Sequence, residues 1–474
     1  MSNTLRRNIK IIALLVFIGL AAFLFWHFKL QQARSAWHIP NLQPFKQWYQ
    51  INWHGQSVGW ASVELSKTDE HFRIKEQDYI EGRVQGERLV FSYQRELLFE
   101  NKKPYNLLSG NIHSLEPELV VETQFSNSLD ENKLQVIDKR NGKQTLRNLE
   151  PIIYSLKEYF KLASFIEKQP QQGDSINIRE LDNEAFSVHA THYEIEEEPF
   201  DYKKYYVVRH HHQQKSEATW HRVTPKGVTI FSMRPSGMEF VASEGKVSLN
   251  PEMQQDLYYT SGVTIDKKIG NPRKINKLVL SLEHGDVSWF QRHPDVNVDP
   301  DKLIHLNPGS RYPARSKPRL IKASLHPIAR SMALAQTQGV SSQWQKTKAL
   351  VDYVNEYIDY RALPSGFNVA EIIDKKRGDC TEHAKLLVEM LHAIDIPARE
   401  VSGLVYLGDK EQRFGGHVWV EVWLDEHWVG VDPTWNLMEL TSTHIPLSIG
   451  EEGAMAALSS QIEISFKLED ISYK

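Results

Sequence analysis

Two short segments near the C-terminus constrain this chain more than any other feature. In His417-Val418-Trp419-Val420-Glu421-Val422-Trp423 the valines alternate with larger or polar residues, and Trp428-Val429-Gly430-Val431-Asp432 repeats the pattern. A period of two marks strands, with the valines toward the core. Both valine sets must then share one face of one sheet. A two-residue turn at Asp425-Glu426 achieves this and sets Trp419 opposite Asp432. His417 becomes the diagonal neighbour of Asp432, on the face away from the valines. A one-residue slip would put Asp432 among the valines, a costly place for an unpaired carboxylate.

Upstream, Arg377-Gly378-Asp379-Cys380 opens a helix expected over Thr381 to Ile394. Ala384, Leu387, Val388, Leu391 and Ile394 form its apolar stripe, Asp379 can cap it, and Pro397 ends it. Cys380 is the single cysteine among 474 residues. Free amides and the positive dipole end at a helix start favour thiolate, and a nearby imidazolium adds to that, so a lowered thiol pKa is expected. Cysteine, histidine and aspartate are then nucleophile, base and orienter. The Cys380 amide is one expected oxyanion donor, with Tyr360 or Asn368 as the second.

These residues carry a resemblance. Arg377-Gly378-Asp379-Cys380-Thr381-Glu382-His383-Ala384, Asp395-Ile396-Pro397-Ala398-Arg399, Gly416-His417-Val418-Trp419-Val420-Glu421-Val422 and Val431-Asp432-Pro433-Thr434 together resemble the transglutaminase-like superfamily, over about residues 340–440. The resemblance implies a papain-like α+β fold with Cys380, His417 and Asp432 in the catalytic positions. It implies acyl transfer from glutamine amides to amines, or amide and peptide hydrolysis, on a protein or peptide substrate. That chemistry needs no cofactor and no metal. Two other readings stay open: a cysteine peptidase, and a catalytically inactive scaffold or peptide-binding module, since one fold serves many functions.

The N-terminus has a different character. Ile11 to Phe28 carries no Asp, Glu, Lys or Arg, and Arg6, Arg7 and Lys10 precede it. As a helix it would span about 27 Å, close to the hydrocarbon thickness of a bilayer. The expected arrangement is one N-terminal transmembrane helix with a cytoplasmic tail, anchoring the chain in an inner membrane with its C-terminal domains on the periplasmic side. A cleaved signal near Ala33-Arg34-Ser35 is the alternative. A lone cysteine suits an exported chain.

The expected fold class is α+β. Its parts are a tail, anchor and linker over 1–36, a β-rich domain over 41–250, a β extension and linker over 270–320, and the transglutaminase-like domain over 321–474. Asn141-Gly142, His54-Gly55 and Pro225-Lys226-Gly227 mark turns between strands, and a helix is expected after Pro151. Ser342-Gln343-Trp344-Gln345 caps a helix running to about Ile358. The last strand is expected over Ile462 to Leu468.

A net charge of −4 and no recognisable module give no support for nucleic-acid binding. Asp295-Val296-Asn297-Val298-Asp299-Pro300-Asp301 copies half a calcium loop, but Pro300 stands where glycine is needed and Leu306 where glutamate is needed. His210-His211-His212 reads as a solvated turn or strand edge. Glu421 reads as a surface or supporting group, Arg399 as an ion partner for Glu382, and Trp419, Trp423, Trp428 and Trp435 as cleft or sheet cover.

Overall fold

The computed structural model describes residues 42–449 and 464–474, except 54, 85, 184, 200–203, 212–217, 235–236, 250–255, 257–261, 285–286, 314–317, 319–324 and 362–366. Strands make up 52% of it and helices 17%. The expected α+β class is therefore corrected to mostly β. The helical patterns are real but local, whereas long hairpins fill the first half of the chain.

The membrane expectation is corrected as well. Ile11 to Phe28 lies outside the described residues, and among the described residues no helix is long and apolar enough to cross a membrane. The longest, Gln343–Tyr357, has 15 residues, short of the roughly 20 a span requires. The single-pass anchor, and the inner-membrane localisation that rested on it, have no element here to carry them.

Fourteen antiparallel strands form the first sheet. The chain moves outward from Phe45–Trp53 to an edge at Lys143–Leu149. It then crosses to the other edge at Ser175–Asp182 and returns to Glu239–Ser243, which pairs with Phe45–Trp53. The crossing carries two short helices, Leu156–Tyr159 and Lys161–Ile166. Asn141 and Gly142 turn between strands with φ of 46° and 84°, the left-handed pair that a tight hairpin needs. The sheet curls on itself. Arg95 donates to Asn183 Oδ1 at 3.1 Å and Asn183 donates to the Tyr93 hydroxyl at 3.1 Å, although Asn183 lies in the turn after Ser175–Asp182, an edge strand far from Glu87–Glu100 in the sheet order. His210 lies on an inner strand of this sheet and is buried, so the solvated-edge expectation is corrected. His212 lies outside the described residues.

Ten strands form the second sheet. Ala398–Tyr406, Arg413–Leu424 and His427–Val431 are neighbours in it, flanked by Ile445–Ile449 and Arg311–Pro313. The final strand is Ser465–Tyr473, set three residues later than the expected start, and it pairs with Ile275–His284. The pairing of Val420 with Val431 and Val422 with Val429 is the register read from the valines. Asp425 and Glu426 make the turn with φ of 47° and 62°. Under the valine face lies the helix Cys380–Ala393. Val420, Val422 and Val431 share a core with Ala384, Leu387 and Leu391. Leu386 and Met390 are buried too, because Pro327–Gln336, Gln343–Tyr357 and Val369–Lys375 pack around this helix. Its apolar surface is therefore wider than one stripe.

The first sheet braces this core. Leu119 and Val121 join it, Glu118 meets Arg377 at 2.5 Å, and Arg140 meets Glu371 at 2.7 Å.

Candidate active site

Cys380 is the first residue of its helix, and the turn before it is held on both sides. The Asp379 carboxylate accepts the Thr381 amide at 2.8 Å, and Glu382 reaches back to accept the Asp379 amide at 2.9 Å. This capping box satisfies amides that a helix start leaves unpaired. Gly378 is required beside it: a Cβ there would stand 2.4 Å from the Glu382 Cβ.

His417 comes from the middle of Arg413–Leu424, and its ring hydrogen-bonds the Cys380 thiol. Its Nε2 meets Asp432 Oδ2 at 2.9 Å, which leaves Nδ1 for the sulfur. The Val418 amide also donates to the sulfur. The structure therefore brings together the three residues singled out from the sequence. Cys380 is half-buried, while His417 and Asp432 are buried.

One residue of the cluster escaped the sequence reading. His444 Nε2 reaches Asp432 Oδ2 at 3.3 Å, and its Nδ1 lies 2.9 Å from the Thr441 hydroxyl. Asp432 Oδ1 accepts the amides of Thr434 at 2.8 Å and Trp435 at 3.2 Å. One buried carboxylate thus has four donors. No spacing rule pointed to His444, because the chain doubles back between Asp432 and Leu437 before reaching it. The ring and carboxylate atoms of His417, Asp432 and His444 lie within 4.8 Å of one another, close enough for one ion to bridge.

Electrostatics follows from this packing. Burial opposes charge on His417, but the carboxylate of Asp432, and then Cys380, push its pKa up to about 10. Burial also works against the Asp432 carboxylate, yet His417 and His444 hold it well below the usual carboxylate range. Burial pushes His444 down, so it serves as a neutral donor. The Cys380 thiol is pushed up by burial and by the adjacent Asp379, against the pull of His417 and the Val418 amide. The expected lowered thiol pKa is corrected on this point: the loss of water, and then the charge of Asp379, outweigh the pull of His417 and the Val418 amide.

The aromatic residues divide. Trp435 stacks on His417 with centroids 4.6 Å apart and stays partly exposed, a cover over the imidazole. Trp419 is buried and meets the edge of His444 at 5.3 Å. Trp428 is buried under Arg399, whose guanidinium lies 3.9 Å from the ring centroid. Glu421 is not a surface group but fully buried, accepting from Arg399 at 2.9 Å and from the Tyr312 hydroxyl at 2.6 Å. Arg399 stands directly across from Glu421 in the sheet, so the expected pair with Glu382 is corrected. Of the two oxyanion candidates, Asn368 uses its side chain to cap Val369–Lys375. Tyr360 is exposed and pairs by backbone with Gly378, two residues from the thiol.

Asp299 of the calcium-like segment closes a local turn onto the Leu303 amide at 2.9 Å and meets His305 at 2.8 Å.

Among curated proteins no relative matches this chain. A provisionally named cysteine protease from Cytophaga hutchinsonii overlaps 42% of this chain and 77% of its own, at 13% identity and a TM-score of 0.24. A provisionally named protease from Parabacteroides distasonis overlaps 78% of this chain and 71% of its own, at 12% identity and a TM-score of 0.21. Overlaps that loose add no weight to the fold. A family model of the transglutaminase-like superfamily matches residues 330–433, a stretch that contains Cys380, His417 and Asp432. The chain therefore carries a transglutaminase-like domain at 330–433.

Proposed function

We propose that this chain is a thiol enzyme that cleaves or transfers the acyl group of an amide in a protein or peptide, through Cys380, His417 and Asp432. The observation that carries the reading is the continuous hydrogen-bonded line from the thiol through the His417 ring to a buried carboxylate. Cys380 Sγ, its proton held by His417, attacks the carbonyl carbon, and the C–N bond breaks as His417 delivers that proton to the departing amine. The resulting thioester is opened by water or by an amine, and the proton returns to the sulfur through His417. Asp432 fixes the ring tautomer and stabilises the imidazolium. The cap engages the amide of Thr381, so the Cys380 amide is assigned to the oxyanion, with Tyr360 as the neighbouring side-chain donor.

The experiment is incorporation of a biotinylated primary amine into a glutamine-rich protein such as casein, with free ammonia measured in parallel. Cys380→Ala loses both signals. Ammonia release that persists in Cys380→Ala removes the thiol from the reaction.

Asp379 yields a second prediction. Asp379→Asn keeps a good helix cap but deletes the charge that raises the thiol. Alkylation of Cys380 by iodoacetamide at neutral pH should accelerate by up to about tenfold, the effect of one pKa unit. An unchanged rate would mean that Asp379 does not set thiol reactivity.

A further inference from the structure

The curl of the fourteen-stranded sheet holds a cavity of about 740 Å³ that none of Cys380, His417 or Asp432 lines. That volume lies in the range of small-molecule sites. Its lining is unlike a hydrophobic core. Glu76 and Arg95 face it from neighbouring strands and pair at 2.5 Å. Tyr159, from the crossing helices, donates to the same Glu76. On the opposite wall Glu180 accepts from Tyr193 and, at 2.8 Å, from Thr191. His210, His221 and Ser232 form a hydrogen-bonded line along a third side, at 2.9 and 2.8 Å.

Asp78 differs from these. Its nearest cation, Arg234, stands 3.8 Å away, beyond hydrogen-bond distance. Burial raises its pKa to about 6, against the pull of Arg234. A carboxylate held this way costs the fold stability, so packing does not account for it.

The charges also say what the cavity excludes. The lining carries four carboxylates, Glu76, Asp78, Glu158 and Glu180, against three guanidiniums, Arg95, Arg179 and Arg234, and Glu158 is paired outside it with Lys161 at 3.2 Å. No surplus charge remains to select an ion. An acyl chain would strip the remaining water from these groups and offer none of them a new partner. A ligand hydroxyl does the opposite: it donates to a carboxylate and accepts from an arginine or tyrosine. The tyrosine rings offer apolar faces to the C–H faces of a sugar ring. We propose that this cavity is a binding site for a neutral, polyhydroxylated small molecule of the saccharide class, with Asp78 as a principal acceptor.

The test is calorimetric titration of the full chain with glucose, N-acetylglucosamine, maltose and trehalose, and with octanoate and triglycine as opposing probes. At least one sugar should bind saturably at one site per chain. Asp78→Asn should weaken that binding at least tenfold. The same variant, without ligand, should unfold at a higher temperature at neutral pH. The sign follows from the raised pKa: a carboxyl whose folded value exceeds its unfolded value loses stability as pH rises past the unfolded value. Ser232→Trp fills the cavity and should abolish binding even if Asp78→Asn folds poorly. Cys380→Ala should leave binding unchanged, so this outcome is separate from that of the thiol chemistry. The proposal is overturned if no sugar binds, if octanoate or triglycine binds instead, or if sugar binding survives both cavity variants.

Discussion

Replacing His417 with alanine is expected to lower acyl transfer by about 10²–10⁴-fold, the range for loss of a positioned acid–base group. Two other readouts should move with it. His417 pulls the Cys380 thiol pKa down, so its removal lets burial and Asp379 push that value further up. Alkylation at neutral pH should therefore slow. The ring also contributes to stability through its ion pair with Asp432. Its folded pKa of about 10 exceeds the ordinary 6.5. That contribution is complete below pH 6.5 and is lost as pH rises through about 10. The gap in unfolding temperature between the native chain and His417→Gln should narrow across that interval. A gap that stays constant there, together with unaltered alkylation, would show that His417 is neither charged nor coupled to the thiol.

The local half of this site was legible in the sequence. Valine alternation allows one register, and that register alone sets His417 beside Asp432. The cap at Asp379 followed from residue types alone. Other features depend on contacts between distant segments, which no periodicity reports. His444 reaches Asp432 only because the chain reverses after Val431. Arg399 chooses Glu421 over Glu382 because it stands across the sheet from it. The thiol pKa turns on how much protein surrounds the sulfur, and a helix start does not reveal that. The same division holds for the large sheet. Asn141-Gly142 announced its own hairpin, but nothing local announced that Phe45–Trp53 pairs with Glu239–Ser243, nor that the sheet curls around a polar cavity.

Asp432 is expected to show the sharpest contrast between two replacements. Alanine removes the acceptor for His417, His444 and the amides of Thr434 and Trp435 at once. It leaves a buried imidazolium without a counter-charge, and breaking a buried pair from one side costs about 3–5 kcal/mol. Asparagine can still accept the two amides through its carbonyl oxygen. Its amide group, however, donates where the carboxylate accepted. His417 Nε2 must then become an acceptor, which moves the ring proton to Nδ1, facing the sulfur. A ring held in that tautomer has no carboxylate to stabilise its imidazolium, so the sulfur loses the cation that favours its ionised form. Asp432→Asn should thus retain most of the folded stability yet lose about 10⁴ in turnover, the scale of a triad held in the wrong tautomer. The acid side gives an independent check. The folded pKa of Asp432 lies below its ordinary 3.8, so its contribution is present above that pH and is lost as pH falls. Acid unfolding of the native chain should be steeper than that of Asp432→Asn. Turnover near native in Asp432→Asn, or an Asp432→Ala chain as stable as the native one, would mean that this carboxylate neither orients the imidazole nor anchors the cluster around it.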